Sequence, residues 1–321
     1  MDKVTAVQEL REKVLAGGSI GKEEALRLVS SDLQELLQAA DDIRKAFSGQ
    51  QFDMCAVMSI KGGRCSENCR FCPQARVSVS DIRTFPVLQP QEMVRGAKQA
   101  ILPGIRHFGF VASGRKMDDA GIENVCRAVQ AARKDTDAHF CVSLGLLTRK
   151  DLRKLKEAGV SRIHNNLETS ERCFPNLCTS HTWREKFEVA RMVREEGLEL
   201  CSGGIFGVGE SWEDRIDLAL AERKLGATSV PLNMLDPVKG SPLGDSPVLK
   251  EDEVLRIVAI FRFVLPGRFL RLAAGRPFLP DAGFSAFTSG ANASITGDML
   301  NVKGITAQKD LETIQSMNFC L

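Results

Sequence analysis

The sequence predicts an α/β protein, a (β/α)8 barrel of the TIM type with an N-terminal helical extension, and three observations carry that expectation. After residue 50, eight short apolar runs rich in β-branched or aromatic residues alternate with charged stretches of helical period. Alternation of this kind builds parallel strand–helix–strand units. Eight strands in about 250 residues suit a closed barrel. Finally, the loop after the first run reads GGRCSENCRFCPQ, so cysteines stand where a doubly wound sheet would carry a Gly-rich dinucleotide turn.

Residues 1–50 read as the helical extension, since apolar positions recur every three or four residues and AGGS interrupts the run. Residues 51–321 read as the barrel with a C-terminal helix. The expected strands are DMCAVMSIK (53–61), IRHFGFVAS (105–113), AHFCVSLG (138–145) and SRIHNNLE (161–168). They continue with LELCSGGIFGV (198–208), TSVPLNML (228–235), RFLRLAAG (268–275) and ANASITGDML (291–300). Helices are expected between them over 121–134, 148–159 and 182–197, where charges occupy the outer faces. No linker, low-complexity tract or repeat divides the chain.

With 321 residues, 43% of them apolar, the chain is long enough to bury a full core. A formal net charge of +2 gives no electrostatic reason for a nucleic-acid or membrane-surface partner. No apolar run approaches the roughly 20 residues of a spanning helix. The start, MDKVTAVQELREKVLAGG, is charged and helical in period, unlike a secretory signal, so the expected location is cytoplasmic. Clustered cysteines in a reducing compartment are more often metal ligands or catalytic groups than disulfides, and there are ten here.

Three of them form Cys65-x3-Cys69-x2-Cys72. A triplet cannot close a four-ligand structural zinc site unless another Cys or His joins it. A [4Fe–4S] cluster with one iron free of cysteine also fits, and leaves that iron open to a substrate or cofactor. The loop follows the first barrel strand, where barrel enzymes keep their chemistry.

Cys-x3-Cys-x2-Cys with an aromatic, Phe71, before the last cysteine resembles the radical S-adenosylmethionine (SAM) enzymes. Further segments resemble biotin synthases: SIKGGRCSENCRFCPQ (59–74), HNNLETS (164–170), CSGGIFGVGE (201–210), PLNMLDPVKGSPL (231–243), RLAAGR (271–276) and GANASITGDML (290–300). The resemblance runs from about residue 50 to the end. It implies that SAM chelates the open iron of a cluster on Cys65, Cys69 and Cys72, and that 5′-deoxyadenosyl radicals open C–H bonds of dethiobiotin. It also implies that an auxiliary iron–sulfur cluster, [2Fe–2S] or of higher nuclearity, donates the sulfur of biotin. A homodimer and an electron donor such as flavodoxin or ferredoxin are implied as well.

By the same resemblance Cys141, Cys201 and Arg271 are auxiliary-cluster ligands. The period-2 pattern independently lets all three face inward. The family's third cluster cysteine, on strand two, has no counterpart in HFGFVASGR. Cys55 and Cys178 are the two candidates to replace it. Asn166 and Glu168 match SAM contacts, with Asn166 also reaching the substrate and Glu168 standing for an aspartate. Lys186 stands for a SAM-binding arginine, and Asn233 matches a contact to the ureido ring. Gly204, Ile205 and Gly207 of GIFGVGE would bring backbone to the adenine, against which Phe71 would pack, and His164 is expected at the substrate. Cys126 reads as core, Cys173 and Cys320 as incidental, and His107, His139 and His181 as lacking ligand partners. The competing readings are a hydrogenase-maturase-like or methylornithine-synthase-like enzyme, a non-catalytic iron–sulfur carrier and a zinc-loop module.

Overall fold

A computed structural model describes residues 4–63, 65–298, 300 and 302–321. Three helices lead in: α1 (Ala6–Leu15), α2 (Lys22–Arg27) and α3 (Leu33–Ser48). Thr5 caps α1 by accepting from the Gln8 amide, and Asp32 caps α3 from the Glu35 amide, so each helix begins where a side chain satisfies its free N–H groups. The apolar stripe of α3, with Leu36, Ala40 and Ile43 buried, packs on the last large barrel helix.

The strands are β1 (Asp53–Lys61), β2 (Ile105–Ala112), β3 (His139–Ser143), β4 (Val160–His164), β5 (Glu199–Cys201), β6 (Gly204–Phe206), β7 (Ser229–Met234), β8 (Phe269–Leu272) and β9 (Ala293–Thr296). All pair in parallel, in the order β5-β4-β3-β2-β1-β9-β8-β7-β6, and β5 also pairs with β7. The ring is therefore closed, with β5 and β6 as two halves of one strand and eight strand positions in all. Around it lie α4 (Pro90–Ala100), α5 (Asp119–Ala132), α6 (Arg149–Glu157), α7 (Trp183–Glu195), α8 (Trp212–Leu225) and α9 (Glu251–Val264), followed by α10 (Ala307–Ser316). The predicted barrel is present.

The differences are at element ends, and each has a local cause. Helix α5 starts two residues before the expected 121 because Asp118 accepts from the Gly121 amide and fixes the start. Strand β4 stops at His164, since Glu168 adopts a left-handed φ of 71° and the chain turns over the barrel mouth. Strand β9 stops at Thr296, before Gly297 at φ 78°. Met299, at the end of the expected run 291–300, lies outside the described residues. On β2, Gly109 and Val111 line the interior cavity. The alternate Phe108 and Phe110 pack with Phe140 towards the helices, as the period of a strand requires.

The break between β5 and β6 falls at Ser202 and Gly203. A Cβ at Gly203 would collide with the Pro231 carbonyl, so the neighbouring strand passes too close for any side chain. Ser202 turns away from the interior and donates to Glu222 Oε1 at 2.8 Å, while Glu222 Oε2 has no partner among the described residues. Burial pushes the Glu222 carboxyl well above the ordinary range, against the Ser202 bond. The folded state thus binds a proton that the unfolded chain releases, and stability falls as pH rises through that interval. Removing the group by Glu222→Gln is expected to flatten this decline by about 1.4 kcal/mol per pH unit above about pH 5. Urea unfolding of both proteins from about pH 5 to about pH 8 measures it, and parallel slopes would mean that Glu222 is ionised in the fold.

Candidate active site

One cavity of about 400 Å³ opens at the C-terminal ends of the strands, and thiols line both its inner wall and its mouth. Cys55 of β1, Cys141 of β3, Cys201 of β5 and Arg271 of β8 come from inside the barrel. Cys65, Cys69, Cys72 and Phe71 come from the loop after β1.

The inner wall rests on a buried carboxylate. Asp53 forms an ion pair with Arg271, and it accepts from Arg162 Nη1 at 3.3 Å and from His107 Nδ1 at 2.7 Å. Burial opposes the charge of Asp53, but Arg271, His107 and Arg162 together hold its carboxyl below the ordinary range. Burial also lowers the His107 pKa, so the ring is a neutral Nδ1–H donor. Arg271 further donates from Nε to Ser229 Oγ at 3.0 Å and from Nη1 to the Asp53 and Ser294 carbonyls at 3.0 and 2.7 Å. Arg162 also pairs with Glu199 at 2.8 Å, so the two guanidiniums are balanced by two carboxylates and bring buried N–H donors, not a net charge, to the three thiols. Asp53→Ala would leave buried Arg271 without a carboxylate, while Arg162 keeps Glu199, and a loss of about 3–5 kcal/mol is expected in urea unfolding. A loss under about 1 kcal/mol would contradict the network.

The inner thiols are neighbours. Cys55 and Cys141 act on each other most strongly, which draws the Cys55 thiol down and pushes Cys141 up. Burial pushes Cys201 up against the two arginines, and Cys201 Sγ lies 3.6 Å from Ser229 Oγ and 3.4 Å from His164 Nδ1. His164 therefore stands beside a thiol as well as on the cavity wall. Strand two presents a glycine, Gly109, at the level of the inner thiols. Gly109 is level with Val57 and Cys141, and a Cβ there would sit 3.9 Å from Cys141 Cβ and 3.3 Å from Val57 Cγ1. Cys55 is one same-face step deeper on β1 than Val57, level with His107, and lines the same cavity as Cys141.

At the mouth, the Cys65 amide donates to the Gln74 carbonyl at 2.6 Å and the Cys72 amide to the Cys69 carbonyl at 3.1 Å, folding the loop back on itself. The Glu67 amide points at Cys65 Sγ from 3.4 Å. Phe71 packs on a small apolar cluster of Leu177, Ile205, Val208 and Leu235. Burial pushes the Cys72 thiol up to about 11. The bond to Cys178, then burial, push Cys69 up.

Cys178 corrects one expectation. Its sulfur is 3.6 Å from Cys69 Sγ, at the mouth and not with Cys55, Cys141 and Cys201. His181 corrects another, because it has partners: Nδ1 lies 3.3 Å from Cys178 Sγ and 2.5 Å from Glu67 Oε2. Cys178 and His181 share the loop between β4 and α7, whereas Cys69 is 109 residues away in sequence, so spacing could not reveal the group.

Of the other expected residues, Glu168, Lys186 and Asn233 line the cavity, whereas Asn166, Gly204, Ile205 and Gly207 lie behind its wall and brace backbone. Asn166 accepts from the Gly203 amide at 3.1 Å and donates to Glu168 Oε2 at 3.3 Å. Lys186 Nζ is 3.9 Å from Glu168 Oε1, and both line the cavity. Asn233 donates to the Gly204 carbonyl at 3.0 Å and accepts from Ala274 at 3.3 Å, tying β6, β7 and the end of β8 together. Gly204 sits against the Glu168 carbonyl, which accepts from the Ile205 amide at 2.8 Å. Gly207 and Val208 donate to Glu210 at 3.0 and 2.8 Å, and Glu210 pairs with Arg215 at 2.7 Å. Glu210 therefore locks the GVGE turn. Asp53, Arg162 and Glu67 went unread in the sequence, although Arg162 lies two positions before His164 on the same strand face.

The donor sets suit iron–sulfur groups. Three thiols on one folded loop fit a cluster with an open iron, and three buried thiols beside guanidiniums fit an enclosed second cluster. Comparison with known proteins agrees. Residues 59–221 match the radical SAM superfamily, and residues 231–320 match the biotin and thiamin synthesis associated domain. The chain is 42% identical over 317 residues to a biotin synthase of Brachyspira hyodysenteriae, covering 99% of this chain and 95% of the relative. It is 43% identical to biotin synthase 2 of Corynebacterium diphtheriae, covering 98% and 96%. Among solved structures it superposes on methylornithine synthase with a TM-score of 0.83 at 18% identity, covering 97% of this chain and 96% of that one. An [FeFe]-hydrogenase maturase gives 0.82 at 16%, covering 98% and 75%. At such identities these two speak for the fold alone. The sequence relatives decide the family: this chain belongs to the biotin synthases, within the radical SAM superfamily.

Proposed function

We propose that this barrel converts dethiobiotin to biotin by radical SAM sulfur insertion, with the two thiol sets of one cavity dividing the work. The observation that carries the reading is that division: a cysteine loop at the mouth and a second, enclosed thiol wall in the same cavity. Cys65, Cys69 and Cys72 would hold the [4Fe–4S] cluster and leave one iron to SAM. Cys55, Cys141, Cys201 and Arg271 would hold the auxiliary cluster, with Cys55 replacing the absent strand-two ligand. When bound, the first group with SAM supplies a carbon radical able to break unactivated C–H bonds, and the second supplies sulfur.

The protein's own residues position and seal. Asp53 holds Arg271 and Arg162 against the inner wall, so their buried N–H donors stand beside the thiols in a dry site. His164 orients Cys201. Glu168, braced by Asn166 from behind, and Lys186 form the polar rim that takes the cofactor's charged end, and Asn233 offers the ureido ring an amide that both donates and accepts. Phe71, with Ile205 packed behind it, supplies the apolar surface for adenine. Such walls keep reactive carbon centres from water.

Ten free cysteines suit a reducing, cytoplasmic compartment, and no helix among the described residues is long and apolar enough to cross a membrane. A homodimer and a flavodoxin- or ferredoxin-type reductant complete the proposal on family resemblance. The test is anaerobic turnover of the reconstituted protein with SAM, reductant and dethiobiotin, followed by mass spectrometry. Biotin with about two 5′-deoxyadenosines per product is expected, since two C–H bonds are opened. Deoxyadenosine without biotin would reject the substrate.

A further inference from the structure

Cys69, Cys178 and His181 meet at the barrel mouth with their donor atoms all within 4.8 Å of one another. We propose that these three residues form a site for a single divalent transition-metal ion of the zinc or ferrous class when the loop carries no iron–sulfur cluster.

Two of the three donor spacings are close to those of a tetrahedron. An ion held at about 2.3 Å by thiolate sulfur and about 2.0 Å by imidazole nitrogen separates its donors by roughly 3.5–3.8 Å. The Cys69 and Cys178 sulfurs are 3.6 Å apart, and His181 Nε2 is 3.9 Å from Cys178 Sγ. The second nitrogen of the ring is already spoken for. Nδ1 lies 2.5 Å from Glu67 Oε2, so it carries the proton and donates to that carboxylate, leaving the Nε2 lone pair for a metal. A carboxylate behind a ligating histidine fixes the tautomer and makes the nitrogen more basic.

The surroundings hold this arrangement in place. Glu67 is buried and also accepts from Ser180 Oγ at 2.7 Å, with Arg115 Nη1 3.4 Å away to balance its charge. Asn68 Oδ1 accepts from the Thr179 and Ser180 amides, both at 3.0 Å, which pins the Cys178 loop to the Cys69 loop. Two thiolates, a neutral imidazole and a divalent ion sum to zero charge. Two sulfurs and one nitrogen favour borderline ions over magnesium or calcium.

Cys69 cannot serve this ion and a cluster at once, so the two occupancies exclude each other. That clause, and only that one, rests on the cluster assignment above. The metal-loaded chain is a form barred from SAM cleavage until the ion is removed.

The test adds zinc to full-length protein stripped of iron and sulfide by chelation under reducing conditions. X-ray absorption of the wild-type chain is expected to count two sulfur ligands with one or two nitrogen or oxygen ligands. Three sulfurs would place the ion on Cys65, Cys69 and Cys72 and overturn the proposal. Zinc affinity is expected to fall by at least roughly tenfold in Cys178→Ser and in His181→Gln, and by roughly tenfold or more in Glu67→Gln. Cys65→Ser should leave it unchanged. Equal affinity in Cys178→Ser and wild type, or a comparable loss in Cys65→Ser, would overturn the site. Cluster-loaded protein should bind no zinc here. Binding with undiminished affinity would refute the exclusion and leave the biotin reading untouched.

Discussion

Cys201→Ala is expected to cleave SAM and make no biotin. Cys201 is buried in the barrel interior beside His164 and Ser229, and its wall is built by β1, β3, β5 and β8. The loop that carries Cys65, Cys69 and Cys72 takes its own backbone bonds from Gln74 and Cys69, so removing the inner thiol leaves it folded. Biotin should fall to background while 5′-deoxyadenosine stays within the wild-type order of magnitude. Cys126→Ala is the control, because that thiol faces the Lys154 carbonyl on the helix layer and not the cavity. Biotin from Cys201→Ala at the wild-type rate would remove the inner wall from the chemistry.

Cys69→Ala is expected to abolish SAM cleavage altogether. A three-thiol loop has no spare ligand within it, and a cluster held by two thiols loses the iron that SAM must chelate. Cys178 Sγ lies 3.6 Å from Cys69 Sγ but is no substitute for it. It belongs to a different loop, where Ser180 and His181 engage it and Asn68 anchors the neighbouring amides, so rescue is not expected. Deoxyadenosine at background in mass spectrometry is the predicted outcome, with iron content lowered. Cleavage above a tenth of wild type would show that the loop does not hold the cluster as assigned.

The barrel was legible because strand and helix periods survive at every repeat, and parallel units leave few other closures. Strand five is the instructive exception. LELCSGGIFGV reads as one continuous run, yet the chain breaks at Ser202 and Gly203 where the Pro231 carbonyl crowds the backbone. A tertiary approach caused that break, and no local pattern announces it. The cysteine loop was legible because its three ligands are local in sequence. Cys55, Cys141 and Cys201 could be suspected from alternation and resemblance.

The rest of the site depends on distant pairs. Asp53 meets Arg162 across 109 residues and Arg271 across 218, so nothing local in the sequence marks this aspartate as their common partner. Cys178 was ambiguous for the same reason. Sequence supplied its type, and only the folded loop between β4 and α7 sets it beside Cys69. Gly109, Cys55 and Cys141 line one wall of the cavity, a grouping that joins three strands and that no single stretch of sequence displays.

The most direct measurement labels the protein's own sulfide. The chain is reconstituted with isotopically heavy sulfide, freed of excess, and given SAM, reductant and dethiobiotin without oxygen. Biotin carrying the heavy sulfur in its first turnover, lost in Cys201→Ala, is the predicted result. Biotin with unlabelled sulfur would contradict an enclosed cluster on Cys55, Cys141 and Cys201 as the donor.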